Sequence, residues 1–318
     1  MRVSQRLSRK KNLLLSFDAF GTLFTPKAPI TTQYGEIAKF HGLAGFTDDE
    51  LNASFKRAFK NESKLRPNYG KVAGLNAQMW WANVISKTFE PFLKDNESVP
   101  KPLISDLLTR FSTDKGYHIY PDVLPFFEML RNSKRNPSGT TDKQNPWPWE
   151  RTVVGVVTNL DDRASGVLTA LGLNVGPRKF GSSAERSTEA NIDEDISFVV
   201  LSYDVGYEKP DRQMFDAAKQ LLKEALAEDS ENTELQRVDQ FEILHIGDEL
   251  EKDYFGAKNA GWNALMIDRT GRFEDSFSAN EPITSVEVRL GKDGAVDSTR
   301  KVQVIKDLQG LSAWTPKR

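Results

Sequence analysis

The sequence predicts an α/β fold, a doubly wound parallel sheet with a long helical segment inserted near its start. Three observations carry this prediction. Four apolar, β-rich runs each end in, or lead into, a polar residue. Helical patterns separate them. Between the first run and Pro121 lies a stretch of helical character far too long for a loop.

The first run, Asn12–Asp18, ends in Asp18, and Thr152–Asn159 ends in Thr158 and Asn159. Phe198–Ser202 leads into a loop carrying Lys209, and Phe241–Asp248 ends in Asp248. Near-continuous apolar runs of this length fit strands buried on both faces of a parallel sheet. Between them, Pro121–Leu130 opens with proline and repeats apolar residues at helical spacing, and Arg212–Ala227 aligns Phe215, Ala218, Leu222 and Leu226 on one side. Glu251–Ala260 stops at Gly261, a favoured residue just past a helix, and a fifth strand is expected at Asn263–Ile267. In such a sheet ligands bind beyond the carboxyl ends of the strands, where these polar residues sit. Within the insertion, helices are expected over Thr31–Phe40, Thr47–Lys60 and Asn76–Phe89. Residues 133–149, 181–195 and 228–239 are polar and read as surface insertions. After Thr270 the pattern is weak, and Val302–Leu311 suggests a last strand and helical turn.

The chain has 318 residues, a formal net charge of −2 and no cysteine. Near-neutral charge disfavours a nucleic-acid partner, which needs a basic face. The lack of cysteine excludes disulfides and thiolate metal sites and suits a reducing compartment. No apolar run approaches the roughly 20 residues of a membrane helix. A cytoplasmic protein is expected, with a nuclear or mitochondrial location left open by the basic start MRVSQRLSRKK.

Singly, each polar residue has an ordinary explanation as a cap, a turn or a surface lysine. Together they form an ordered set: Asp18-x-x-Gly21-Thr22, then Thr158-Asn159, then Lys209-Pro210, then Gly247-Asp248-x4-Asp253. With FDAFGTL, VVTN, EKPD and IGDELEKD as its four motifs, the chain resembles the haloacid dehalogenase-like hydrolase superfamily. RPNYG at 66–70 and MWW at 79–81 resemble the group called haloacid dehalogenase-like hydrolase domain-containing protein 3. The resemblance implies a Rossmann-like core, residues 1–26 and 121–318, and an inserted helical cap, residues 27–120. It implies Asp18 as a nucleophile that takes a phosphoryl group as an aspartyl-phosphate. Thr158 and Lys209 would assist. Thr22, Thr158, Asn159 and Lys209 would lie around the phosphate. Mg²⁺ would be held by Asp18, Asp248, the Phe20 carbonyl and Asp253, the last directly or through water or Lys209. The substrate would be a small phosphorylated metabolite; oligomeric state is not legible.

Phe20 departs from the phosphatase pattern, which places an aspartate there as general acid and base, a role worth roughly 10²–10⁴-fold in rate. Carbon–halogen-cleaving members carry an aromatic residue at that position, and halide leaves without a proton. Asp248 and Asp253, however, belong to the metal-binding version of the fourth motif. Three functions are therefore expected in descending order: a Mg²⁺-dependent phosphatase, a non-catalytic phospholigand- or protein-binding member, and a metal-independent 2-haloacid dehalogenase. His245, inside an apolar strand, reads as a core histidine. Trp80 and Trp81 read as cap packing or as the cap's mouth, and Asn68-Tyr69 as a structural turn or a specificity loop.

Overall fold

A computed structural model describes residues 12–135, 147–182, 194–228, 237–278, 281–290 and 298–316 of the chain. The basic start at 1–11 and most of the three polar insertions lie outside the described residues. The chain opens with β1 (Asn12–Phe17) and β2 (Phe24–Pro26), followed by α1 (Ile30–Phe40), α2 (Asp48–Leu65), α3 (Ala77–Phe89) and α4 (Lys101–Arg110). Then come β3 (Tyr117–Ile119), α5 (Val123–Arg135), β4 (Thr152–Thr158), α6 (Ala164–Ala170), β5 (Val175–Lys179) and β6 (Ile196–Leu201). The chain continues with α7 (Ser202–Val205), α8 (Arg212–Glu228), β7 (Phe241–Gly247) and α9 (Gly256–Asn259). It ends with β8 (Asn263–Ile267), β9 (Ile283–Leu290) and β10 (Ser298–Ile305).

Eight strands form one sheet in the order β5-β6-β4-β1-β7-β8-β10-β9. All neighbouring pairs are parallel except β9 with β10. Alternation along β1 shows why both faces are covered. Leu13, Leu15 and Phe17 pack with Phe126 and Phe127 of α5 and Leu168 of α6. Leu14, on the opposite face, belongs to the core with Phe215, Ala218 and Leu222 of α8 and Ala257 of α9. A strand with period-two side chains serves two helical layers only if both faces carry apolar residues, which NLLLSF supplies with Leu13, Leu15 and Phe17 on one face and Leu14 on the other.

The antiparallel edge strand β9 is a difference from the expected parallel sheet. Along it Thr284, Val286 and Val288 are buried while Ser285, Glu287 and Arg289 are exposed, so one face meets the core and one meets solvent. That alternation suits an antiparallel edge, whereas the central parallel strands β4 and β6 are buried at every residue. β5 carries Gly176 and Pro177 within VGPRK and pairs with β6 through an irregular register, so it has no apolar run to announce it. The helix expected at Glu251–Ala260 begins instead as a wide π turn over Leu250–Phe255 before α9.

α1–α4 pack around Tyr34, Ile37, Leu51, Phe89, Leu103 and Leu107, a hydrophobic cluster of their own. α2 starts with a capping box in which Thr47 and Glu50 satisfy each other's backbone N–H groups. β2 and β3 form a short antiparallel ribbon that ties together the chain entering and leaving these helices. Among the described residues, no helix is long and apolar enough to cross a membrane.

Candidate active site

The site lies where β1, β4 and β7, adjacent in the sheet, end together. Asp18 continues the β1 ladder, its N–H donating to the Ile246 carbonyl at 2.8 Å. The chain then turns sharply: the N–H groups of Leu23 and Phe24 both donate to the Ala19 carbonyl, at 2.8 and 3.2 Å. Gly21 sits at φ +86°, and a Cβ there would lie 2.4 Å from Asp248 Oδ2. Gly21→Ala is therefore expected to cost about 1–2 kcal/mol in backbone strain alone and to push the Asp248 carboxylate aside. Thermal unfolding and divalent-cation titration of the variant check this; an unchanged melt would contradict it.

Lys209 is the centre of charge. Its ammonium donates to Asp18 Oδ1 at 2.7 Å and to Asp253 Oδ1 at 2.6 Å, with all three side chains buried. Thr158 donates its hydroxyl to the Asp18 carboxylate. Asn159 uses both ends of its amide on the Lys209 backbone, donating to the carbonyl at 3.0 Å and accepting from the N–H at 2.7 Å. Asn159 thus holds the lysine in place. Thr22 donates to Asp248 Oδ1 at 2.9 Å and so orients that carboxylate.

The carboxyls divide by environment. Asp253 takes hydrogen bonds from Lys209, from the Glu249 N–H and from His245. Burial opposes its charge, but Lys209 and His245 outweigh that and hold the carboxyl well below the usual range. Burial pushes Asp18 up; Lys209 offsets this in part, and the Asp253 charge adds to it. Asp248 is pushed up to about 6 by burial and by the Asp18 charge. Lys209 is raised, the attraction of both carboxylates exceeding its burial penalty. Each of Asp18, Asp248 and Asp253 offers one oxygen, and these lie within 4.8 Å of one another. Three carboxylates against a single ammonium leave excess negative charge, and hard oxygen donors suit a small divalent cation.

Several contributors were not evident from the sequence. His245 is fully buried and is in the core as expected, but its ring also spans the site. Its Nε2 lies 3.2 Å from Asp253 Oδ1 and its Nδ1 3.0 Å from Ser16 Oγ. Burial lowers its pKa, so the ring is neutral, with Nε2–H assigned toward the acceptor-only carboxylate. The available signal was register: Ser16 and His245, both polar within apolar runs, are direct neighbours in β1 and β7. Arg269 donates from Nε and Nη2 to the Thr22 carbonyl at 3.1 and 2.8 Å and from Nη1 to Asp122 at 2.8 Å, clamping the loop after Asp18.

The inserted helices reach the same loops. The Tyr69 hydroxyl donates to the Asn159 carbonyl at 3.1 Å, and Asn68 Nδ2 to the Tyr203 carbonyl at 3.1 Å. Asn68 and Tyr69 both adopt left-handed backbone, at φ 51° and 53°, a strain uncommon for a bulky residue and offset here by those contacts. Trp80 is buried, as packing predicted, whereas Trp81 donates its indole N–H to Asp161 at 2.7 Å and stacks under Arg163. Arg163 grips Asp161 in two hydrogen bonds, at 2.8 and 2.7 Å. Burial works against the Asp161 charge, but Arg163 and Trp81 keep its carboxyl below the usual range. Phe20 is 37% exposed, its ring edge-on to Phe24 and Tyr117.

Residues 14–261 match a model of the family described as haloacid dehalogenase-like hydrolase. An uncharacterised hydrolase of Schizosaccharomyces pombe is 31% identical over 84% of this chain and 96% of its own length. Haloacid dehalogenase-like hydrolase domain-containing protein 3 of Bos taurus is 26% identical over 80% of this chain and 81% of its own length. Among solved structures, a defluorinating L-2-haloacid dehalogenase superposes with a TM-score of 0.53 at 12% identity, covering 95% of this chain and 94% of that one, a likeness of fold. The chain belongs to the haloacid dehalogenase-like hydrolase family.

Proposed function

We propose that the protein is a Mg²⁺-dependent phosphatase acting on a small phosphorylated metabolite through a phosphoryl group carried on Asp18. The observation that carries this reading is the buried Lys209 ammonium shared by Asp18 and Asp253, with Asp248 close by. One cation against three carboxylates leaves room for a divalent ion and an anionic substrate together. Asp18, Asp248 and Asp253, with the Phe20 carbonyl, are the groups that would hold Mg²⁺. Bound there, the ion would neutralise phosphate charge and counter the burial that raises the Asp18 and Asp248 carboxyls.

The remaining work falls to the chain's own groups. Asp18 is the nucleophile. Lys209 offsets the charge that Asp18 and the phosphate bring together, and its hydrogen bond to Asp253 fixes its direction. Thr158 orients the Asp18 carboxylate. Ser16 and His245 position Asp253 from behind. Residues 27–120 act as a cap over the core formed by 1–26 and 121–318, and the Tyr69–Asn159 and Trp81–Asp161 contacts are the seam along which the cap closes and excludes water.

Purified protein is expected to hydrolyse p-nitrophenyl phosphate with Mg²⁺ and to lose that activity in EDTA. Mg²⁺ at 100 times its dissociation constant should also raise stability by about 2.7 kcal/mol. The absence of both turnover and stabilisation would overturn the proposal. Stabilisation without turnover would instead favour a binding protein. Phe20 specifically favours a second reading, a 2-haloacid dehalogenase with Asp18 forming an ester. Halide release from 2-chloropropionate in the presence of EDTA would establish it, and no release would remove it.

A further inference from the structure

We propose that this site acts on phosphates whose leaving group departs as a stable anion, such as acyl phosphates, phosphoanhydrides or aryl phosphates, and that it is a poor catalyst for alkyl phosphates; this rests on the phosphatase reading above. Two residues beyond the nucleophile stands Phe20, a side chain with no proton to give. It is also fixed there. Its backbone bridges to Phe24, the next residue is the Gly21 that abuts Asp248, and its ring lies against Phe24 and Tyr117 at centroid distances of 5.9 and 6.4 Å.

Among the described residues, the titratable groups around it are committed elsewhere. Asp253 and Asp18 hold Lys209, and Asp248 takes the Thr22 hydroxyl. His245 is buried between Ser16 and Asp253. Asp161 spends its oxygens on Arg163 and Trp81, and Tyr69 donates to the Asn159 carbonyl. Burial pushes the Tyr117 phenol, packed on Phe20, up to about 12 and makes it a weak acid toward a leaving group. Glu249 pairs with Lys252 and Asp204 with Lys71, and the acids left on the rim, Asp162 and Glu208, are exposed.

The chemistry follows from this set. Asp18 attacks phosphorus, the bond from phosphorus to the leaving oxygen breaks, and the electron pair leaves on that oxygen. A carboxylate, phosphate or acidic phenolate accepts the pair without protonation; an alkoxide does not. Water then attacks the aspartyl-phosphate, the phosphorus–Asp18 bond breaks, the carboxylate is restored, and the water proton passes to solvent. With no base beside Asp18 this second half is slow, so phosphoenzyme should accumulate.

The test is kcat/KM with Mg²⁺ for acetyl phosphate, p-nitrophenyl phosphate, phenyl phosphate and glycerol phosphate, together with the phosphoenzyme level after acid quench. The first two should exceed glycerol phosphate by about 10²–10⁴-fold, the worth of a missing general acid, and phosphoenzyme should be trapped at a sizeable fraction of sites. In Phe20→Asp the gap should narrow as glycerol phosphate improves. The wild-type series needs no variant, so a misfolded Phe20→Asp leaves the test intact. Equal rates across the series would mean that a rim acid such as Asp162 supplies the proton; that result overturns this inference and leaves the phosphatase reading standing. Loss of all turnover and of trapped phosphoenzyme would bring down both.

Discussion

Asp18→Asn is expected to lower kcat for p-nitrophenyl phosphate by at least about a thousandfold while leaving the protein folded. The asparagine oxygen still accepts from Lys209 and Thr158, so the local hydrogen bonds survive. The amide cannot accept a phosphoryl group and return it to water, so chemistry stops at its first bond. Stability should barely fall. The Asp18 carboxyl is raised in the fold because burial and the Asp253 charge oppose its ionisation more than Lys209 supports it. A neutral isostere escapes that penalty, and the Lys209–Asp253 pair remains balanced one to one. Parallel measurement of kcat, thermal midpoint and Mg²⁺-dependent stabilisation separates the two effects. An active variant would remove Asp18 as nucleophile; an inactive variant that is also unfolded would contradict the electrostatic account.

What the sequence made legible is the frame of the site. Asp18, Thr158 and Asp248 stand out because parallel strands buried on both faces leave apolar runs with polar residues at their ends, while Lys209 and Asp253 enter through the ordered motif set that resembles the family. Once β1, β4 and β7 are neighbours, those ends have to meet. Contacts between distant segments left no local trace. Arg269 lies 247 residues from the Thr22 carbonyl it clamps, and Trp81 lies 80 residues from Asp161. Neither partner sits in a periodic pattern that requires the other. His245 illustrates the ambiguity of a polar residue in a core strand, since burial alone does not say which way its ring nitrogens are used. The last strands were faint for another reason. β9 and β10 form an edge pair with one solvent face, and they fall beyond residue 261, where the family match ends.

Removing the lysine should do the opposite of removing the nucleophile's charge. Lys209→Met is expected to destabilise the metal-free protein by about 3–5 kcal/mol, the usual cost of stripping one partner from a buried ion pair. Methionine fills much of the volume, so the loss is electrostatic rather than a cavity. Asp18 and Asp253 would then face each other as buried carboxylates with no ammonium between them. Both would rise in pKa, Asp18 further above its ordinary 3.8 and Asp253 out of the depressed range that Lys209 maintains. The sign with pH follows. A carboxyl whose folded pKa lies above its unfolded value stabilises the fold in acid and loses that contribution as pH rises through the folded pKa. The deficit of the variant in EDTA should therefore be smallest in mildly acidic buffer and grow toward neutral pH. Mg²⁺ should recover part of it at neutral pH, because a divalent ion supplies positive charge to the same carboxylates. Thermal unfolding across pH, with and without Mg²⁺, reads all three effects in one protein. A variant that melts with wild type at neutral pH in EDTA would show that the carboxylates are not held together by Lys209, and the charge balance that supports the phosphatase reading would go with it.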